Sequence, residues 1–219
     1  SGKLVTEKIE ETSGSITFSL DDKYFFYSKL DEFHRPRKIF RHKLGTNIKD
    51  DELIFEEKSD AFTVGINLSA DEKYFFITTS DHNTSEQYFF PVNEQKPNPK
   101  LIKKRKKGII YSLNSWDNYF YCHTNENAED FKIERCKDLL NQNWEIYIAP
   151  KNEVLIGGLT FLNNWVIRAE KSNALGKLFV KNINSEIEEE LNFSDEKVIV
   201  PGVSLIQRDK NTDYVYLSY

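Results

Sequence analysis

Short apolar runs of alternating pattern, each bounded by turn-forming residues, fill most of this chain, and one of them returns almost unchanged. Asp21-Asp22-Lys23-Tyr24-Phe25-Phe26 recurs as Asp71-Glu72-Lys73-Tyr74-Phe75-Phe76. Degenerate copies follow at Asp117-Asn118-Tyr119-Phe120-Tyr121, Asn163-Asn164-Trp165-Val166-Ile167 and Thr212-Asp213-Tyr214-Val215-Tyr216. Counted from Tyr24 through Tyr74, Tyr119 and Trp165 to Tyr214, the steps are 50, 45, 46 and 49 residues. Aromatic and β-branched runs repeating at this period are the signature of four-stranded propeller blades.

Each period divides into four strands. Ahead of the aromatic anchor lies an alternating run, as in 15–20, 62–66 and 158–162, which reads as a first, inner strand. The anchor itself opens the second strand. Third strands are expected at 37–42, 86–90, 130–135 and 177–181, and more charged fourth strands at 52–57, 101–104, 144–148 and 187–191. Charge on the last strand protects a sheet edge from further pairing. Because side chains alternate along a strand, Tyr24 and Phe26 share one face and Phe25 takes the other. Tyr24, Phe26, Tyr74, Phe76, Tyr119, Tyr121, Trp165 and Ile167 are therefore expected at equivalent second-strand positions, packed between adjacent blades.

The expected fold is all-β: a β-propeller fragment of about four complete four-stranded blades with partial blades at both ends. The complete blades are placed at 15–57, 62–105, 109–148 and 158–191, the partial ones at 4–9 and 203–219, and the whole of 1–219 is assigned to one propeller domain. A blade needs a neighbour on each face to bury its apolar residues. The partial ends, together with the lack of any Met, predict a piece of a longer protein whose open faces are covered by further chain or by self-association.

At 39% hydrophobic and 14% aromatic the chain can bury a large core, and it shows no run of the length needed to span a membrane. The basic run Lys103-Lys104-Arg105-Lys106-Lys107 raises nucleic-acid binding, but the net charge of −5 and the lack of a second basic stripe favour a solvated edge. The acidic run 186–190 is given the same role. His34, His42, His82 and His123 lie at no metal-binding spacing, so neither metal nor other cofactor is expected. Cys122 and Cys136 are too few for a disulfide scaffold and are taken as reduced thiols of a cytoplasmic protein. The sequons at Asn67, Asn83 and Asn192 are then chance.

Catalysis by this chain alone finds no foothold. A nucleophile elbow requires Gly-x-Ser-x-Gly, which does not occur, and a propeller glycosidase requires inner-strand carboxylates, which the runs above lack. Asp21, Asp71 and Asp117 fall at turns, where the side chain supports the backbone locally. A free-standing propeller that binds partner proteins would share the periodicity.

The stretch from Asp31 to Thr46, followed by Asp51-Glu52-Leu53-Ile54-Phe55-Glu56-Glu57, resembles the propeller of oligopeptidase B-type enzymes in the prolyl oligopeptidase family of serine peptidases. Further segments are similar in the same order: Phe62-Thr63-Val64-Gly65, Thr84-Ser85-Glu86, His123-Thr124-Asn125 with Asp130-Phe131, Trp144 to Pro150 with Glu153-Val154-Leu155, and Tyr216-Leu217-Ser218-Tyr219. The resemblance spans nearly the whole chain. It implies a seven-bladed propeller capping a C-terminal α/β-hydrolase domain whose Ser, Asp and His form the triad. It also implies cleavage of peptides after Lys or Arg, with the cap admitting peptides and excluding folded proteins. All the similar segments belong to the family's propeller, so no catalytic or primary-pocket residue is carried over.

Overall fold

The computed structural model describes residues 8–185, 187–192, 202–205 and 211–218. Apart from one 3-10 turn at Ile48–Asp50, its regular structure is β-strand. The first sheet runs β1 Thr12–Phe18, β2 Tyr24–Leu30, β3 Pro36–Lys43 and β4 Glu52–Glu56, and the second β5 Thr63–Leu68, β6 Tyr74–Ser80, β7 Ser85–Pro91 and β8 Lys100–Lys103. The third holds β9 Tyr111–Trp116, β10 Tyr119–Thr124, β11 Lys132–Cys136 and β12 Glu145–Ile148. The fourth holds β13 Leu155–Phe161, β14 Trp165–Ser172, β15 Leu175–Asn182 and β16 Glu188–Glu190, and a two-stranded sheet pairs β17 Gly202–Leu205 with β18 Val215–Ser218. Every four-stranded sheet is an antiparallel meander in chain order. The chain divides into two compact units, the first with sheets one and two, the second with the remaining sheets and the Ser69–Glu72 turn.

In both units, sheets pack by unlike faces. Phe26, with Ile39 behind it, lies against Phe75, Ile77 and Phe90 of the second sheet, ring centroids 4.7 Å from Phe75 and 5.8 Å from Phe90. Tyr121 and Ile133 of the third sheet meet Val166, Phe161 and Ile156 of the fourth. Ile167 and Leu178 of the fourth meet Val203 and Val215 of the last hairpin. In the first two cases the third residue of a second strand faces the second residue of the next one, and in the last Ile167, third in β14, meets Val215, the first residue of β18. Alternation demands this, because the two apolar faces of a meander carry different residues.

Of the expected anchors, Phe26, Phe76, Tyr121 and Ile167 are buried at the third positions of β2, β6, β10 and β14, with Tyr24, Tyr74, Tyr119 and Trp165 at the first positions. The first-position tyrosines are half-buried, and Trp165 does not pack between sheets as expected: it is 37% exposed. A first position adjoins the hairpin turn, where cover from the neighbouring sheet runs out.

Strand limits also move. β1 starts at Thr12 and ends at Phe18, leaving Ser19 and Leu20 to the turn, and its Ile16 and Phe18 are 53% and 45% exposed, unlike the buried inner strand expected. β13 begins at Leu155 because a bulge between Ile156 and Leu159 absorbs Gly157 and Gly158. β11 begins only at Lys132, since Phe131 has a positive φ of 67°. Of the strand expected at 4–9, residues 4–7 lie outside the described residues, and Lys8 and Ile9 are not in a strand. Residues 206–210 and Tyr219 of the expected last blade also lie outside the described residues.

Candidate functional site

The repeated acidic turns are built alike. In Ser19-Leu20-Asp21-Asp22-Lys23 the Asp21 carboxylate accepts from Ser19 Oγ at 2.7 Å and from Lys23 N at 3.2 Å, while Asp22 adopts φ 54°. In the second copy Ser69 Oγ donates to Asp71 at 2.8 Å and Glu72 takes φ 59°. Asp71 goes further than a local turn residue: buried at 7% exposure, it accepts from Ser115 Oγ at 2.7 Å, and Asn114 Oδ1 accepts from Ala70 N at 2.8 Å. The same clasp recurs where Asp213 accepts from Asn164 N and Nδ2, both at 2.8 Å. Both clasps lie within the second unit.

The basic run is only partly a solvated edge. Lys104, Lys106 and Lys107 are exposed, but Arg105 joins Glu57 at 2.7 Å and Glu86 at 3.0 Å, with its guanidinium 4.1 Å from the Phe62 ring centroid. Glu57 and Glu86 are each 4% exposed. Burial opposes the ionisation of Glu86, but the bonds from Arg105 outweigh it and hold the carboxyl below its usual range. Burial and the Glu86 carboxylate push Tyr88 up to about 12. Arg105 therefore staples the first sheet's exit to the second sheet. The acidic run departs from expectation likewise: Glu188 pairs at 2.6 Å with Arg168, a buried side chain that also meets Glu170.

Two histidines lie inside. His42 Nδ1 is 2.7 Å from Asp51 Oδ1, and Asp51 Oδ2 accepts from Tyr27 at 2.8 Å. A His–Asp contact is one limb of a hydrolytic triad, but both side chains are 3% exposed and the imidazole packs on Phe25 at 4.9 Å, so the group ties β2, β3 and the chain before β4 together. His123 donates from Nε2 to the Ile156 carbonyl at 2.7 Å and stacks on Phe131 at 4.6 Å. Burial holds its pKa below the ordinary value despite that bond. Among the described residues no group of three or more His, Cys, Asp or Glu could hold a metal ion, and no helix is long and apolar enough to cross a membrane. Cys122 and Cys136 are buried and unbridged.

One arrangement went unnoticed in the sequence. In the first sheet the Arg41 guanidinium lies 4.6 Å from the Tyr24 ring and pairs with Glu52. In the third, Arg135 lies 4.5 Å from the Tyr119 ring and pairs with Glu145 at 2.7 Å. Tyrosine, arginine and glutamate come from strands two, three and four, so only strand register brings them together: Phe26 opposite Arg41 opposite Glu52, and Tyr121 opposite Arg135 opposite Glu145. Each trio lines a cavity, of about 960 Å³ in the first unit and about 370 Å³ in the second.

The profile described as "Prolyl oligopeptidase, N-terminal beta-propeller domain" matches residues 1–219. The chain belongs to this family. Its four-stranded meanders are propeller blades, and in this family the propeller is the N-terminal domain of larger peptidases. The chain is 34% identical over 137 residues to Protease 2 of Moraxella lacunata, covering 62% of this chain and 20% of that protein. Against dipeptidyl aminopeptidase BI of Pseudoxanthomonas mexicana it is 25% identical over 222 residues, 100% of this chain and 30% of the relative. Among solved structures, oligopeptidase B from Trypanosoma brucei, a closed form with covalently bound antipain, superposes with a TM-score of 0.87 at 21% identity, over 98% of this chain and 32% of that one. Oligopeptidase B from Leishmania major gives 0.84 at 18% identity, over 97% and 31%. The chain therefore spans under a third of the length of these relatives.

Proposed function

We propose that this propeller is the gating and size-selecting part of an oligopeptidase B-like serine peptidase that hydrolyses peptides after Lys or Arg. The observation that carries the proposal is the 34% identity to Protease 2 within a family match over the whole chain. Catalysis is assigned to a C-terminal α/β-hydrolase domain, against which the propeller docks. The propeller's contribution is steric: a narrow channel admits a flexible peptide and turns away a folded protein, so selection by size needs no reactive side chain. Hinge opening between the two domains would regulate access. A cytoplasmic location goes with this function, supported by the unbridged Cys122 and Cys136.

The test compares the longer protein with this chain alone. The longer protein is expected to release fluorophore from arginyl and lysyl peptide substrates and to leave a folded protein rich in Lys and Arg uncut. This chain alone is expected to release none. Cleavage after proline in place of Arg or Lys would overturn the specificity, digestion of the folded protein would overturn the gating role, and turnover by the purified propeller would overturn the division of labour.

A further inference from the structure

The two Tyr–Arg–Glu trios differ in what the arginine has left to offer. In the first blade the ion pair uses a terminal guanidinium nitrogen, Arg41 Nη2 to Glu52 Oε2. In the third blade it uses Arg135 Nε to Glu145 Oε1, at 2.7 Å. Arg135 is held between two rings, its guanidinium carbon 4.5 Å from the Tyr119 centroid and 5.1 Å from Tyr147. Besides Glu145 its polar neighbour is the Tyr121 hydroxyl, and its terminal nitrogens meet no carboxylate among the described residues. Lys137 adds an exposed ammonium 5.1 Å from the Tyr119 centroid, with no carboxylate partner among the described residues.

The acidic groups of the same cleft are already engaged. Asp138 accepts from Leu140 N at 2.8 Å through Oδ1 and from the Asn141 side chain through Oδ2. Glu145 is tied to Arg135. The donors that meet no carboxylate are thus the terminal nitrogens of a stacked arginine, which also faces the Tyr121 hydroxyl, and the Lys137 ammonium, a geometry that can receive an anion end-on. Because Asp138 and Glu145 line the same cleft of about 370 Å³, a monoanion is favoured over a phosphate, which carries up to two negative charges.

We propose that this cleft, lined by Tyr119, Arg135, Lys137, Asp138, Asn143 and Glu145 at the edge of the third blade, is a binding site for a carboxylate group presented by a peptide. The site holds whether or not the longer protein cleaves after Lys or Arg, and its test involves no proteolysis. Calorimetric or NMR titration of the protein would use four probes: acetyl-Ala-Ala with a free C-terminal carboxylate, the same peptide amidated, acetyl-Glu-amide and inorganic phosphate.

Saturable binding of a carboxylate probe is expected in the millimolar range, with the amidated dialanine at least about fivefold weaker. Binding of acetyl-Ala-Ala alone identifies a peptide C-terminus as the source, binding of acetyl-Glu-amide as well identifies any acidic side chain, and both support the site. Lys137→Gln, at an exposed position, should weaken binding at least about fivefold, and Arg135→Lys, which keeps the charge and loses the fork, should do the same. The matched change Arg41→Lys should have no effect. Equal binding of the amidated peptide, tighter binding of phosphate than of any carboxylate probe, no saturation by any probe, or unchanged affinity in Lys137→Gln would each overturn the proposal.

Discussion

Phe26→Ala is the sharpest test of how the blades are joined, because this buried ring packs across the seam in the first unit. Phe26 is 2% exposed and packs at 4.7 Å and 5.8 Å from Phe75 and Phe90, in a cluster with Ile39, Val64, Ile66 and Ile77. Truncation to Ala withdraws on the order of 100–150 Å² of buried apolar surface, about 3 kcal/mol at 25 cal/mol per Å². Three of its neighbours, Phe75, Ile77 and Ile39, are themselves at most 1% exposed, so the hole cannot collapse without moving a packed core. Adding that cavity term brings the expected loss to about 3–5 kcal/mol. Urea unfolding followed by circular dichroism reads the change; with a slope of roughly 2–3 kcal/mol/M the midpoint should fall by about 1–2 M. Phe33→Ala, at a ring 67% exposed, is the control and should stay within about 0.5 kcal/mol. If the two variants unfold at the same urea concentration, Phe26 does not carry the seam and the pairing of unlike faces is wrong.

Replacing Arg105 by Met should destabilise by about 3 kcal/mol, because Glu57 and Glu86 are left as buried carboxylates without their cation; adding Glu57→Gln and Glu86→Gln should recover much of the loss in the same unfolding assay. Acidification should weaken the second unit through His123. Its folded-state pKa lies below the ordinary value, so the unfolded chain takes up the proton first, and stability is complete above about pH 6.5 and falls as pH drops from there toward the folded pKa. Unfolding midpoints measured from pH 7.5 to 5.5 should show this slope, and His123→Gln should flatten it; an equal slope in both proteins would assign it elsewhere. Ile16, Phe18 and Leu20, 53%, 45% and 50% exposed, should drive self-association of this chain, visible as a concentration-dependent mass in light scattering and reduced by Phe18→Glu. A monomer at every concentration would show that this apolar face needs no cover.

The sequence by itself determined the all-β fold and its period, because a turn such as Ser-x-Asp-Asp/Glu-Lys followed by alternating aromatics is a local instruction: hydrogen bonds within five residues set the hairpin, and alternation sets the faces. Family resemblance was legible for the same reason, since the quoted segments keep their order along the chain. What tertiary structure alone decided lies across strands. Whether Phe26 meets Phe75 or Phe76 is a matter of which faces oppose, and no single period contains that choice. Arg105 sits in a run of lysines that looks uniformly solvated, yet its partners Glu57 and Glu86 lie 48 and 19 residues away. Tyr119, Arg135 and Glu145 are unremarkable apart. They become a site only because antiparallel register places residues from three strands side by side, and because Arg135 spends its Nε on Glu145 while Arg41 spends a terminal nitrogen on Glu52. Such a choice is made by packing, after the chain has folded, and leaves no mark in the pattern of apolar and polar positions.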